Sequence, residues 1–145
     1  MKLNLGSGEN YREGWVNIEI SKEVKADHYL DLSVDPLPFE DNTVDFIEAR
    51  DFLEHIINLK HIFNECWRVL KPAGVFYIEV PYAGTVDYYK DPTHVRPFIP
   101  ETFNYFAIWN TSPAYGLKKW DIIDEKHTLG GFNENRIYVS MTPQK

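Results

Sequence analysis

One cysteine and two methionines are all the sulfur that this 145-residue sequence contains, and basic residues are outnumbered, 15 Lys and Arg against 22 Asp and Glu. Each shortage removes a class. A lone Cys66 can form neither an internal disulfide nor a cysteine-based zinc cage, and its place in a helical apolar stripe makes it core filler. No apolar run approaches the ~18 residues of a spanning helix, and no basic, apolar leader precedes the first predicted strand, so the expectation is a cytoplasmic protein without a membrane contact. A formal net charge of −7, with only Lys118 and Lys119 clustered, argues against a nucleic-acid partner, because phosphate binding needs grouped cations. A neutral or cationic small ligand suits such a field better. No metal site is evident: His55 and His61 are six apart, off a shared helical face, and no cysteine pair exists. GK[ST] and G-x-S-x-G are both missing, which removes the P-loop and the nucleophile elbow.

What remains is a chain of ordinary globular composition, long enough for one domain over 1–145 with its own core. "LNL" at 3–5, "WVNIEI" at 15–20, "HYLDLS" at 28–33 and "TVDFIEA" at 43–49 read as strands. "GVFYIEVPY" at 74–82 is nearly continuous apolar, the pattern of a central strand buried on both faces. Leu59, Ile62, Phe63, Cys66, Trp67 and Leu70 follow helical spacing behind an Asn58 N-cap, and "KPAG" predicts the stop. Strand, long helix, strand implies a parallel pair with a right-handed crossover, hence an open α/β sheet. "AGTVDYYKDPTHVRPFIP" is too punctuated for regular structure. A short helix "ETFNYFAIW" follows, with Pro100 in its first turn. "LKKWDIIDEKHTL" and "NRIYVSMTP" close the chain as a hairpin around "GGFNE".

Ligands of open α/β sheets sit outside the carboxyl ends of the strands, which is where Gly6 and Gly8 fall. A dinucleotide fingerprint would continue as G-x-G-x-x-G into a full helix, but position 11 is Tyr11. Only Ser7 to Gly14 separate the two strands, while a complete crossover takes about a dozen residues. The first crossover helix is therefore reduced or absent, and a pyrophosphate resting on its N-terminus is disfavoured. Two carboxylates share the same rim, Glu19 ending the second strand and Asp31 ending the third. A carboxylate accepts from a ribose diol or an exocyclic amine and repels phosphate. Two acids and a bare loop thus describe a site for a phosphate-free, positively charged nucleoside, a description that S-adenosylmethionine (SAM) fits and that NAD and ATP do not.

The order of these pieces resembles that of a small class I SAM-dependent methyltransferase. "LNLGSG" is similar to the family's first motif and "GWVNIEI" to its second strand, with Glu19 where Asp is commoner. "DLSVDPLPFEDNTVDFIEARDFLEHI" is similar to the third and fourth strands, and "ECWRVLKPAGVFYIEVPY" to the following helix and strand. The resemblance implies strand order 3-2-1-4-5-7-6 with an antiparallel terminal hairpin. It also implies SAM as cofactor, held by Gly6, Ser7, Gly8, Glu19, Ile20, Asp31, Leu32, Arg50 and Asp51. The function it implies is in-line transfer of a methyl group to a small-molecule acceptor; the alternative is a catalytically silent SAM-binding or interaction domain.

Around this site several readings stay open. Asp51 and Glu54 read as a capping box, with Arg50 and Asp51 beside the methionine end of the cofactor, and His55 as a helix-terminal or participating residue. "DYYKDPTHVR" is either a loop tied by Asp91 to Arg96 or His94, or an acceptor wall in which His94 or Asp91 is the general base. Because little helix precedes the fourth strand, one sheet face is expected to be thinly covered, and Tyr11, Trp15 and Tyr29 are then candidates for a homodimer contact.

Overall fold

A computed structural model describes residues 1–108 and 113–145. Its strands are β1 (Lys2–Leu5), β2 (Val16–Glu19), β3 (His28–Tyr29), β4 (Val44–Arg50), β5 (Leu70–Pro81), β6 (Trp120–Thr128) and β7 (Arg136–Pro143). Two α-helices are described, α1 (Leu59–Val69) and α2 (Val86–Tyr89), together with short 3-10 turns. The strands form one sheet in the order β3-β2-β1-β4-β5-β7-β6. Neighbours from β3 to β5 are parallel, and β7 runs antiparallel to both β5 and β6, as the resemblance implied.

The helix forms where the apolar spacing placed it. Asn58 accepts from the His61 backbone N–H at 3.1 Å, and Leu59, Ile62, Phe63, Cys66 and Val69 are buried. Phe63 stacks on Phe106 at 3.7 Å between ring centroids and meets Phe76 and Trp120 edge-on, so one aromatic cluster joins helix and sheet.

Five expectations need correction. The Lys71–Gly74 segment does not separate helix from strand: Val69 passes directly into β5, and the extra residues bulge between the Val44–Leu70 and Phe46–Val75 pairs. The third strand is two residues rather than six, because the Asp31 carboxylate accepts from Ser33 N–H and its carbonyl from Val34 and Asp35, closing a turn. The strand expected to be buried on both faces buries only one: Phe76, Ile78 and Val80 are buried, Val75, Tyr77 and Glu79 only half so. The segment after it is also not wholly irregular, since it holds the single turn α2. The short helix expected at 101–109 is a 3-10 turn over Pro100–Tyr105, with Pro100 in its first turn, and Trp109 lies outside the described residues. No helix among the described residues is long and apolar enough to cross a membrane.

The open face explains the glycine loop. No helix forms between β1 and β2, and register places Asn17, Asn4, Glu48, Tyr77 and Ser140 in one row across that face. Asn17, fully buried, does the work that a crossover helix would do. Its Oδ1 accepts from Asn4 Nδ2 at 3.0 Å and Arg12 N–H at 2.9 Å, and its Nδ2 donates to the carbonyls of Arg12 and Trp15 and to Asp27. Trp15 lies edge-on to Phe46 with the Lys2 and Arg12 cations over its ring, so it is engaged within the chain.

Candidate active site

Two cavities meet at the glycine loop. A groove of about 530 Å³ is lined by Gly6, Gly8, Glu19, Ile20, Leu30, Asp31, Leu32, Ser33, Asp51, Phe52, His55, Ile56 and Ile57. It holds three acids, Glu19, Asp31 and Asp51, an apolar wall and no lysine or arginine. A second cavity of about 550 Å³ shares Gly6, Gly8 and Asp51 but is polar, with Arg12, Arg50, Glu48 and Glu79. Of the residues predicted to hold a cofactor, Gly6, Gly8, Glu19, Ile20, Asp31, Leu32 and Asp51 line the groove; Ser7 and Arg50 face the second cavity.

The loop differs in detail from a bare amide cradle. Gly8 N–H donates to Glu19 Oε2 at 2.9 Å and Ser7 N–H to the Ile18 carbonyl at 3.1 Å, so both amides are taken up internally. Glu19 Oε1 accepts from Ile20 and Ser21 N–H. These bonds fix the carboxylate against the loop while each oxygen keeps further acceptor capacity. Gly6 and Gly8 have φ of +61° and +48°, and a Cβ on Gly6 would overlap Phe52, the aromatic wall of the groove.

At the strand ends, alternating charges form a chain. Arg50 Nε lies 2.9 Å from Glu48 Oε1 and its Nη1 3.6 Å from Glu79, while Arg136 Nη1 lies 2.8 Å from Asp51 Oδ1. Burial pushes the Glu79 carboxyl up, and the two arginines oppose the shift. Arg136 escaped the sequence reading, although antiparallel β7 sets its first residue opposite Pro81, at the same rim.

The predicted Asp51–Glu54 capping box is absent. Residues Leu53–His55 form a 3-10 turn with no side-chain cap, and Asp51, at φ +46°, turns to Arg136. Glu54 is fully buried, and burial pushes its carboxyl up to about 8. Its carbonyl accepts from Val95 and Arg96 N–H, drawing the segment after α2 over the turn. In that segment Asp91 accepts from the Thr93 hydroxyl and N–H, which hold its carboxyl below the usual range, and lies 3.7 Å from His94 Nε2. Arg96 reaches the Ile57 carbonyl, not Asp91. A cavity of about 240 Å³ brings Asp51, His55, Asp91, His94 and Arg136 together beside the groove. Tyr88 packs against His94, whereas Tyr89 is exposed and forms no wall.

Residues 12–78 match a family described as a methyltransferase domain. The chain is 32% identical over 84 residues to the glycine/sarcosine/dimethylglycine N-methyltransferase of Actinopolyspora halophila, covering 56% of this chain and 14% of that protein. It is 48% identical over 40 residues to sterol 24-C-methyltransferase erg6 of Schizosaccharomyces pombe, covering 28% and 11%. The chain spans 11% to 36% of the length of the curated relatives it matches. In fold it is similar to a SAM-dependent methyltransferase from Archaeoglobus fulgidus, with TM-score 0.70 and 17% identity over 97% of this chain and 85% of that one. In sheet order and in the matched segment the chain is similar to the class I, Rossmann-like SAM-dependent methyltransferases. The chain is similar to that family over residues 12–78, and its fold is the one those enzymes share.

Proposed function

We propose that this chain is a methyltransferase that binds SAM with its nucleoside in the groove and its amino-acid end in the polar cavity. The observation that carries the reading is the groove's lining: Glu19 and Asp31 face an apolar wall of Ile20, Leu30, Leu32, Phe52 and Ile56 with no cation among them. Hydroxyls of a ribose suit Glu19, an exocyclic amine suits Asp31, and an adenine ring suits the aliphatic wall. A phosphate would meet only like charge there. In the adjoining cavity Arg12 and Arg50 can take a carboxylate, and Asp51 or Glu79 an ammonium. SAM, when bound, supplies an electrophilic methyl on a sulfonium. The chain's part is to hold that group, to exclude water through Phe52 and Ile56, and to admit an acceptor from the small cavity beside Asp51 and His55. That cavity's size favours a small-molecule acceptor. The transferase names of the matched family and relatives support catalysis over silent binding.

Titration calorimetry with S-adenosylhomocysteine tests the assignment. Replacing Glu19 by Gln should weaken binding by about tenfold, or ~1.4 kcal/mol, and Asp31→Ala should act in the same direction. Unchanged affinity in both variants, or tight binding of ATP or NADH by the unaltered chain, would remove the reading.

Two copies of the chain are proposed to pair across the open sheet face, where Trp15, Phe46, Tyr77 and Tyr138 stay half-buried with no helix among the described residues above them. Sedimentation at micromolar concentration should then give twice the chain mass of 17.0 kDa; the mass of one chain would dismiss the pairing.

A further inference from the structure

We propose that Glu54, His55 and His94 form a binding site for one divalent transition-metal ion, with an open position toward the cavity beside the groove. One donor atom from each of the three lies within 4.8 Å of the others. A tetrahedral ion with bonds of ~2.1 Å needs donors ~3.4 Å apart, so small side-chain rotations close the site. Two imidazoles and one carboxylate are a donor set used by zinc where a fourth position is kept for a ligand, and imidazole donors favour first-row transition metals over magnesium or calcium.

Three features indicate a built site. Glu54 is completely buried, and neither carboxylate oxygen has a hydrogen-bond partner. A buried carboxylate left this way is costly, and a cation satisfies it. His94 Nδ1 lies 2.7 Å from the Tyr88 carbonyl, so it carries the proton and donates, leaving the lone pair on Nε2, the atom 3.9 Å from Glu54 Oε1. The His55 ring is held in the same manner. Thr93 Oγ1 gives its proton to Asp91 Oδ1 at 2.6 Å and therefore accepts from His55 Nδ1 at 3.1 Å, which assigns the lone pair to Nε2. Imidazoles pinned through one nitrogen by a carbonyl or a hydroxyl, with the other nitrogen bare, are the usual arrangement around metal-binding histidines. Asp91 Oδ2, 3.7 Å from His94 Nε2, stands within reach as an additional donor.

The ion's open position would face the cavity of about 240 Å³ lined by Asp51, His55, Asp91 and His94. The ligand class is a small molecule offering a hydroxyl or carboxylate oxygen. That this molecule is the methyl acceptor rests on the methyltransferase reading, whereas ion binding rests on the side chains alone. In this arrangement His94 is an ion ligand, and the general-base role falls away.

The test uses the full chain stripped with a chelator and titrated with Zn²⁺, read by calorimetry and by native mass spectrometry, with S-adenosylhomocysteine binding measured on the same sample. One Zn²⁺ per chain is expected. His94→Ala and His55→Ala should each weaken it at least 100-fold, while His61→Ala, whose ring bonds the Asp35 carbonyl elsewhere, should leave it unchanged. Glu54→Gln should also lose the ion, with circular dichroism showing that the variant is folded. Absence of Zn²⁺ binding, or binding equal in the His55, His94 and His61 variants, overturns the site even where S-adenosylhomocysteine binds. Loss of S-adenosylhomocysteine binding with Zn²⁺ retained would instead sink the cofactor reading and leave the ion site standing.

Discussion

Replacing Asp87 by Ala should lower the free energy of unfolding by about 3–5 kcal/mol, the scale of a buried ion pair broken on one side. Asp87 is completely buried, and every donor around it is directional. Lys90 Nζ reaches it at 2.9 Å, Asn133 N–H at 2.9 Å, Asn135 N–H at 3.0 Å and Asn135 Nδ2 at 2.8 Å. Truncation leaves the Asn133 and Asn135 N–H groups without an acceptor, leaves Lys90 Nζ only Asn133 Oδ1 and Asn135 Nδ2 only the Gly131 carbonyl, and loosens α2 from the connection between β6 and β7. Urea denaturation followed by circular dichroism measures the loss, and a midpoint within error of the unaltered chain would refute the assignment. The same residue sets an acid limb. Burial alone would raise its carboxyl, but the bonds from Lys90, Asn135 and Asn133 more than reverse this and hold it well below the usual range. The folded value lies under the unfolded one of ~3.9, so the stabilisation is complete above the unfolded value and is lost as pH falls through the folded one. Asp87→Asn should therefore unfold less steeply than the unaltered chain below about pH 4.

The second large effect is expected at Gly6. Its φ of +61° costs a side-chain-bearing residue about 1–2 kcal/mol, and the added Cβ would come within 2.9 Å of Phe52 Cγ and nearer still to Cδ2. Gly6→Val must push the Phe52 ring into the space proposed for the nucleoside. S-adenosylhomocysteine affinity should fall on the order of 100-fold, or ~2.7 kcal/mol. Gly14→Ala is the control: its φ of +78° carries comparable strain, but its Cβ meets nothing within 4 Å. Equal affinity losses in the two variants would show backbone strain, not occlusion of the groove, to be the cause.

The part of the fold carried by periodicity was legible. Leu59 to Leu70 announced a helix at 3.6 spacing, the terminal hairpin announced an antiparallel end, and the brevity of Ser7–Gly14 announced the missing helix. Strand extent was less so, because Asp31 ends β3 through a turn of its own side chain, and the Pro72 segment continues β5 as a bulge where composition reads as a stop. The two-sided burial expected of "GVFYIEVPY" failed for a related reason: its half-buried positions are Tyr and Glu as well as Val, and no helix among the described residues covers them. At the candidate site, Glu19 and Asp31 were visible because Glu19 ends β2 and Asp31 comes just after β3. His55 with His94, and Asp51 with Arg136, were hidden because thirty-nine and eighty-five residues separate them, and only the folded chain brings them together. Glu54 was misread because Asp-x-x-Glu is the same letters whether the acid caps a turn or sinks beneath it.

The Asn17 side chain makes the upper edge of the sheet vulnerable at a single point. A crossover helix would have stiffened residues 7–15 through many backbone bonds, so that losing any one would matter little. Here Ser7 and Gly8 are held by Ile18 and Glu19, while one carboxamide ties Arg12 and Trp15 to Asn4, so hydrogen exchange at Arg12 would be governed by that side chain. Mutational tolerance should accordingly be lopsided: generous along the outside of the loop at Glu9 or Glu13, and almost nil at one position a few residues downstream.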